Sequence, residues 1–405
     1  MTFRLLLNLI LSLRLNKSII KQQPHNTNAV RHIFQHQLHI EQDKTDTPYK
    51  YSLLKSVIES CQEYPHYAKE DEHTGRVCLP VGLCVVKWLL YYYPFFTPGK
   101  FIVMKRGEQN GKVQTAFRPE FESVCRYYEG RGGISVFYDD LTFGTLPEEI
   151  RETVISLVSK LRFSIRDNPM KHLGFSQTGT EYSVFRLEEK TKPFSKKSPL
   201  SVQTIIEKSG TYSISKELYI VFRELGGFII GSGCISDKWL SFLRNLNHNT
   251  DVSDAELLER FASEPVLERN TRNARELYLT LAREKKCFCV WSGKTVSEET
   301  LAVDHLIPFS IWKSNELWNL VPADSKINGS KSDLIPNSSR LENRKQEIFS
   351  SWEALFTKYP HEFTRGLTVG LLGEEPKEDW KEKAFERLCA ISRYLIDSRG
   401  YEEWI

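Results

Sequence analysis

Between Val81 and Phe96 the chain carries a single charge, Lys87, in an otherwise apolar and aromatic run. A stretch this apolar has to leave water, yet it falls short of the roughly 20 residues that a membrane-spanning helix needs. It predicts a buried helix in a folded protein, with no membrane partner. With 405 residues, 40% apolar and 12% aromatic, the chain can bury large cores, and domains of roughly 100–200 residues predict two or three of them. The net charge of +3 excludes a uniformly basic coat but leaves room for a local basic groove, because attraction to phosphate is set locally.

The eight cysteines are scattered, without the dense framework of small secreted domains, and read as reduced thiols of a cytoplasmic protein. The opening Met1 to Ile20 has the apolar run of a signal peptide, but Arg4 and Arg14 interrupt it and no small-residue cleavage site follows. Residues 16–48, rich in Asn, Gln, His and Lys, show no period, so 1–45 is expected to be a poorly ordered segment.

Periodicity begins at Tyr49, with Tyr51, Leu54, Val57, Ile58 and Cys61 at helical spacing. A second helix is expected from Pro80, in its first turn, to Tyr93, where Pro94 ends it. Phe101–Met104 and Val113–Phe117, flanking Gly107 and Gly111, suggest a hairpin; Ile134–Tyr138 and Tyr182–Leu187 suggest strands. Helical period returns at Glu120–Tyr128, Pro147–Phe163, Lys216–Phe222 and Asp237–Leu246, while Lys190, Lys192, Lys196 and Lys197 mark a charged surface loop. Asn247 to Thr250 breaks the chain before a helical segment that Ser253 or Asp254 can cap and that runs, with interruptions, to Glu284. Two domains follow: a mixed, mainly helical region over 46–250 and a second over 251–405.

From Cys287 the period changes. Cys287–Trp291 and Leu301–His305 read as two strands joined by a turn at Gly293, and Pro322–Asn328 opens a short helix. The second strand ends on Asp304-His305, and Pro308 stops it. Phosphodiester hydrolysis needs a base for water and a cation for the charge on phosphate. A neutral His305 is a base of suitable strength, and the Asp304 carboxylate and Asn328 amide oxygen are hard ligands suited to Mg²⁺. Adjacent strand residues point to opposite faces, so the pair can act together only where the strand ends or bulges.

Asp304-His305-Leu-Ile-Pro308, Asn319-Leu and Asn328-Gly-Ser-Lys331-Ser-Asp333 resemble the ββα-metal HNH nucleases, and are similar to the HNH domain of CRISPR RNA-guided nucleases and of prokaryotic restriction and defence proteins. The resemblance covers residues 287–336 and implies an α+β, multidomain protein with a C-terminal ββα-metal domain flanked by helices. It further implies His305 as general base, Asp304 and Asn328 as ligands of one Mg²⁺ or Mn²⁺, Asn319 as the residue that holds the metal loop and histidine, and Lys331 as a phosphate contact. The expected substrate is DNA rather than RNA, cut to a 5′-phosphate and 3′-hydroxyl, with a possible activating partner protein in a defence system. Many HNH domains carry two CxxC pairs for structural zinc; Cys287-Phe-Cys289 is a CxC with no later cysteine before Cys389, a spacing that argues against zinc. Its thiols are expected on opposite faces of the first strand. Trp312 and Trp318 are expected to pack around the metal loop rather than stack on bases. Asp139-Asp140 with Glu188-Glu189-Lys190 only faintly matches a restriction-type centre, and no phosphate-binding GxxxxGK motif occurs.

Overall fold

The computed structural model describes residues 47–173, 184–195, 198–231, 235–248, 250–262, 269–312 and 314–405. The poorly ordered segment expected over 1–45, the first residues of the strand expected at Tyr182 and two lysines of the charged loop, Lys196 and Lys197, lie outside them. The protein is mainly helical with small sheets, an α+β mixture.

Helix α1 (Tyr49–Glu63) buries Leu53, Leu54, Val57, Ile58 and Cys61 along one stripe, as its period predicts. The predicted apolar helix is α2 (Val81–Phe96), and it runs through Pro94, which sequence reading took as its end. In the last turn a proline forfeits little more than its own backbone bond, so packing of Phe95 and Phe96 carries the helix on. Pro80 is not in the helix but ends strand β2 (Arg76–Pro80). That strand lies in an antiparallel sheet of order β1-β2-β4-β3, with β1 at Lys69–Asp71, β3 at Arg186–Leu187 and β4 at Thr211–Ser215.

No hairpin forms over 101–117. Instead the buried carboxylate of Glu108 accepts the backbone N–H groups of Met104 at 2.6 Å and Thr115 at 2.8 Å and pairs with the Arg118 guanidinium at 2.9 Å. One side chain satisfies the donors that a strand ladder would have paired. The strand expected at Ile134–Tyr138 is part of a helix. After α3 (Arg118–Tyr128), Gly132 at φ 103° starts α4 (Gly133–Phe143) and Gly144 at φ 66° ends it. Phe137 and Leu141 are buried four residues apart, a helical spacing that the short apolar run concealed.

Helices α5 (Glu148–Asp167), α6 (Val202–Lys208), α7 (Lys216–Gly231), α8 (Ile235–Asn247) and α9 (Asp254–Ala262) complete a core around Trp88 and Tyr92 of α2. A second core starts at α10 (Arg272–Arg283) and runs to Trp404, built on Trp291, Trp318, Trp352 and a set of C-terminal helices. The cores meet where His66 Nε2 lies 2.8 Å from the Val369 carbonyl and Tyr394 donates to the Arg223 carbonyl at 3.0 Å. A cleft of about 720 Å³ between them is lined by Glu59, Glu63 and Lys87 on one side and Glu316 on the other.

Two buried groups at this junction respond to pH in opposite senses. Burial pushes His66 down to about 4, against the pull of its bond to Val369, and pushes Glu316 up to about 7, against its bonds from Trp318 and Ser314. The unfolded chain therefore holds the extra proton at His66, whose contribution to stability is present above pH 6.5 and lost as pH falls through about 4. The folded chain holds it at Glu316, whose contribution is complete below pH 4.5 and lost as pH rises through about 7. Denaturant unfolding between pH 4.5 and 6.5 should show stability falling more with rising pH in His66→Gln than in wild type. It should rise more in Glu316→Gln, each change on the order of 1 kcal/mol per pH unit. One pH dependence shared by all three proteins would contradict both assignments.

Candidate active site

Strand β5 (Leu301–His305) pairs antiparallel with β6 (Leu320–Asp324), placing Asp304 opposite Val321 and His305 opposite Leu320. The sequence predicted β5 but gave it the wrong partner. Residues 287–291 form a knuckle, with Cys289 N–H donating to the Lys294 carbonyl and Gly293 N–H to the Cys289 carbonyl, both at 2.8 Å. Its Val290 N–H reaches the Pro322 carbonyl at 2.9 Å. Pro322 disguised β6 as a helix opening; as a strand residue opposite Val303 it simply lacks a donor. The thiols are not on opposite faces: residues two apart share one side of an extended chain, and Cys287 and Cys289 both enter the second core, where burial pushes Cys287 up to about 11.

Beyond β6, Asp324 caps α11 (Ser325–Lys331) by accepting the Lys326 N–H at 3.0 Å. The helix packs across both strands and carries Asn328 and Lys331. It stops at Ser332, whose φ of 46° is in the left-handed region, so the chain turns away directly after Lys331.

The Asp304 carboxylate, 4% exposed, is fully engaged. Oδ2 accepts the Trp291 indole N–H at 2.7 Å; Oδ1 accepts the His305 backbone N–H at 2.7 Å and faces Lys331 Nζ at 3.3 Å. Lys331 Nζ also donates to the His305 carbonyl at 2.7 Å. Although it ends a polar helix, Lys331 is 0% exposed. Burial holds its pKa down, opposed by Asp304.

His305 is 2% exposed and its Nε2 has no hydrogen-bond partner. Asn315 hydrogen-bonds the imidazole, which leaves Nε2 with the lone pair when the ring is neutral. Burial first, then the charges of Arg269 and Lys331, push its pKa down to about 3. The strand ends at His305, as joint action with Asp304 requires. Asn319 fixes the departing chain: its Oδ1 accepts the Ile307 N–H at 2.8 Å and its Nδ2 donates to the Ile307 carbonyl at 3.0 Å.

Asp304, His305 and Lys331 are therefore in direct contact, and Asn319 holds the next turn of chain. Asn328 lies one helical turn before Lys331; among the described residues its side chain makes no hydrogen bond to the other four. A carboxylate and an amide oxygen are hard donors of the kind that bind Mg²⁺ or Mn²⁺. Among the described residues no group of three His, Cys, Asp or Glu is placed to hold a metal. Trp318 is fully buried in the core and Trp312 partly so. Asp140 and Glu188 have separate partners, Tyr128 and Ser213.

Three site residues escaped the sequence. Trp291 shares no spacing with Asp304, and Arg269 lies well before the matched motifs. Asn315 lies four residues before Asn319 on a loop, where asparagines are common for local reasons.

Two family profiles match the chain. A domain of unknown function, DUF8808, matches residues 27–261, and an HNH endonuclease profile matches residues 289–337, the stretch that holds Asp304, His305, Asn319, Asn328 and Lys331. No curated protein and no solved structure matches it. With more than half its length in the larger match, the chain belongs to the DUF8808 family, and it carries an HNH endonuclease domain in its C-terminal region.

Proposed function

We propose that the chain is a metal-dependent endonuclease hydrolysing phosphodiester bonds in DNA. The observation that supports this best is His305: a neutral imidazole beside a buried carboxylate, with Nε2 buried and unpartnered. Asn315 takes the ring N–H, so Nε2 is the atom that receives a proton from water. The oxygen of that water bonds to phosphorus, the P–O3′ bond breaks, and O3′ gains a proton from solvent, giving a 5′-phosphate and a 3′-hydroxyl. Burial is the main cause of the low proton affinity of His305, and an anionic phosphate beside the ring offsets the charges of Arg269 and Lys331 and strengthens the base. Asn319 holds the chain after His305. Asp304 and Asn328 would hold one Mg²⁺ or Mn²⁺, which supplies Lewis-acid stabilisation of charge on the phosphate and leaving oxygen.

The DUF8808 region supplies recognition or partner docking and gates the nuclease in this reading, because an unrestrained nuclease endangers its own cell. A prokaryotic defence or restriction-like role with an activating partner, acting in the cytoplasm, follows from that type of chemistry alone. One HNH site cuts one strand per engagement, so cutting both takes a dimer or two events.

Plasmid cleavage with Mg²⁺ or Mn²⁺ tests the reading. His305→Ala should lower the rate by at least about a hundredfold while leaving folding near wild type; cleavage at wild-type rate would reject the base. A wild type that binds DNA but never cuts it, with candidate partners present, would favour a non-catalytic binding module.

Asp304→Asn keeps an acceptor for Trp291 and removes a charge, and Asn328→Ala removes an amide oxygen; both should raise the Mg²⁺ concentration needed for half-maximal activity about tenfold or more. Unchanged titrations in both variants would reject them as ligands.

Chelation separates this site from a structural zinc. A site with two protein ligands adds little folding energy, so EDTA should shift Tm by no more than about 1–2 °C while stopping turnover. A large drop in Tm with stoichiometric zinc release would show that Cys287 and Cys289 hold zinc.

A further inference from the structure

Residues 269–270 bring the chain into the HNH domain from the side of the DUF8808 region, and both are tied to the elements around His305. Arg269 Nη2 donates to the Val303 carbonyl at 3.0 Å, one residue before Asp304. The next backbone N–H, of Asn270, donates to Asn315 Oδ1 at 2.9 Å, and Asn315 holds the imidazole. The strap is thus anchored on the strand that carries the base and on the loop that orients it. Its guanidinium is poised without being used up. Among the described residues one of its five N–H donors is engaged and no carboxylate pairs with it, and the residue is exposed.

Lys331, the cation first suggested for phosphate, is committed elsewhere: it is fully buried and divides its ammonium between Asp304 and the His305 carbonyl. A planar guanidinium matches two phosphate oxygens at once, which a buried ammonium does not. We propose that Arg269 is the phosphate-binding residue of this site, its guanidinium taking the non-bridging oxygens of the scissile phosphodiester beside His305. The inference rests on the nuclease reading above. Its charge lies near enough to act on the His305 ring.

The test uses the full chain and a short fluorescent DNA duplex. Cleavage is followed with Mg²⁺, and binding is followed by anisotropy in EDTA over a range of salt. Arg269→Ala should lose about 10- to 100-fold in kcat/KM, and the slope of log Kd against log salt should shrink by about one phosphate contact. The Mg²⁺ titration midpoint and Tm should match wild type. Arg269→Lys should restore the salt slope but only part of kcat/KM. Wild-type cleavage and an unchanged salt slope in Arg269→Ala, while His305→Ala is dead, would overturn the inference and leave the nuclease reading intact. A lower Tm or shifted metal midpoint that accounts for the loss would overturn it in favour of a structural role. A wild type that neither cuts nor binds duplex would remove both.

Discussion

Asp304 is a charged group placed where water is all but excluded, and the HNH domain is arranged around keeping it there. An uncompensated buried carboxylate costs several kcal/mol, and removing one partner of a buried pair costs about 3–5 kcal/mol. Its compensation comes from three directions: the Lys331 ammonium from α11, the Trp291 indole from the knuckle and the adjacent backbone N–H. Each requirement fixes an element. Helix α11 has to return across β5 to deliver Lys331, the knuckle has to close against β6 to deliver Trp291, and the strand has to end at His305. The outcome is a carboxylate whose position is fixed by its own surroundings.

The DUF8808 region solves a different problem. Its central helix α2 is apolar almost all round and is therefore wrapped, with α1, α5, α6 and the four-stranded sheet around it. Its one charge, Lys87, faces the cleft and is answered by Glu63 at 2.5 Å and Glu59 at 3.0 Å. Across that cleft Glu316 belongs to the loop that also carries Asn315 and Asn319, so the junction between regions is one loop away from the imidazole. Burial makes this junction pH-sensitive, while the strap at 269–270 is tied to the loop that holds the same histidine.

What could be read from the sequence divides along physical lines. Long amphipathic helices such as α1 and α5 were legible because burial imposes their period directly. The positions of Asp304, His305, Asn319 and Asn328 were legible through a motif resemblance, and all four fall within the matched residues 289–337. The short elements were not. Five residues at Ile134–Tyr138 suit a strand as well as a buried helix, and the glycines beyond them decide. The loop over 101–117 is held by Glu108 and Arg118, a long-range pair that no local pattern announces. Pro322 inverted the reading of β6, which moved the first strand to the knuckle. Lys331 shows the same limit at the site itself, since nothing in a polar heptapeptide tells that its last residue will be wholly buried against a carboxylate.

The central claim is that Asp304, now neutralised by Lys331, is a metal ligand shared with Asn328. A crystal structure of the full chain with Mn²⁺, using the anomalous signal of the metal, tests it most directly. The account predicts one strong anomalous peak with Asp304 and Asn328 oxygens at about 2.0–2.3 Å. It also predicts that Lys331 Nζ moves off Oδ1, and that Asp304→Asn abolishes the peak. No peak at saturating Mn²⁺, with Lys331 still on Asp304, or a peak that persists in Asp304→Asn, would contradict it.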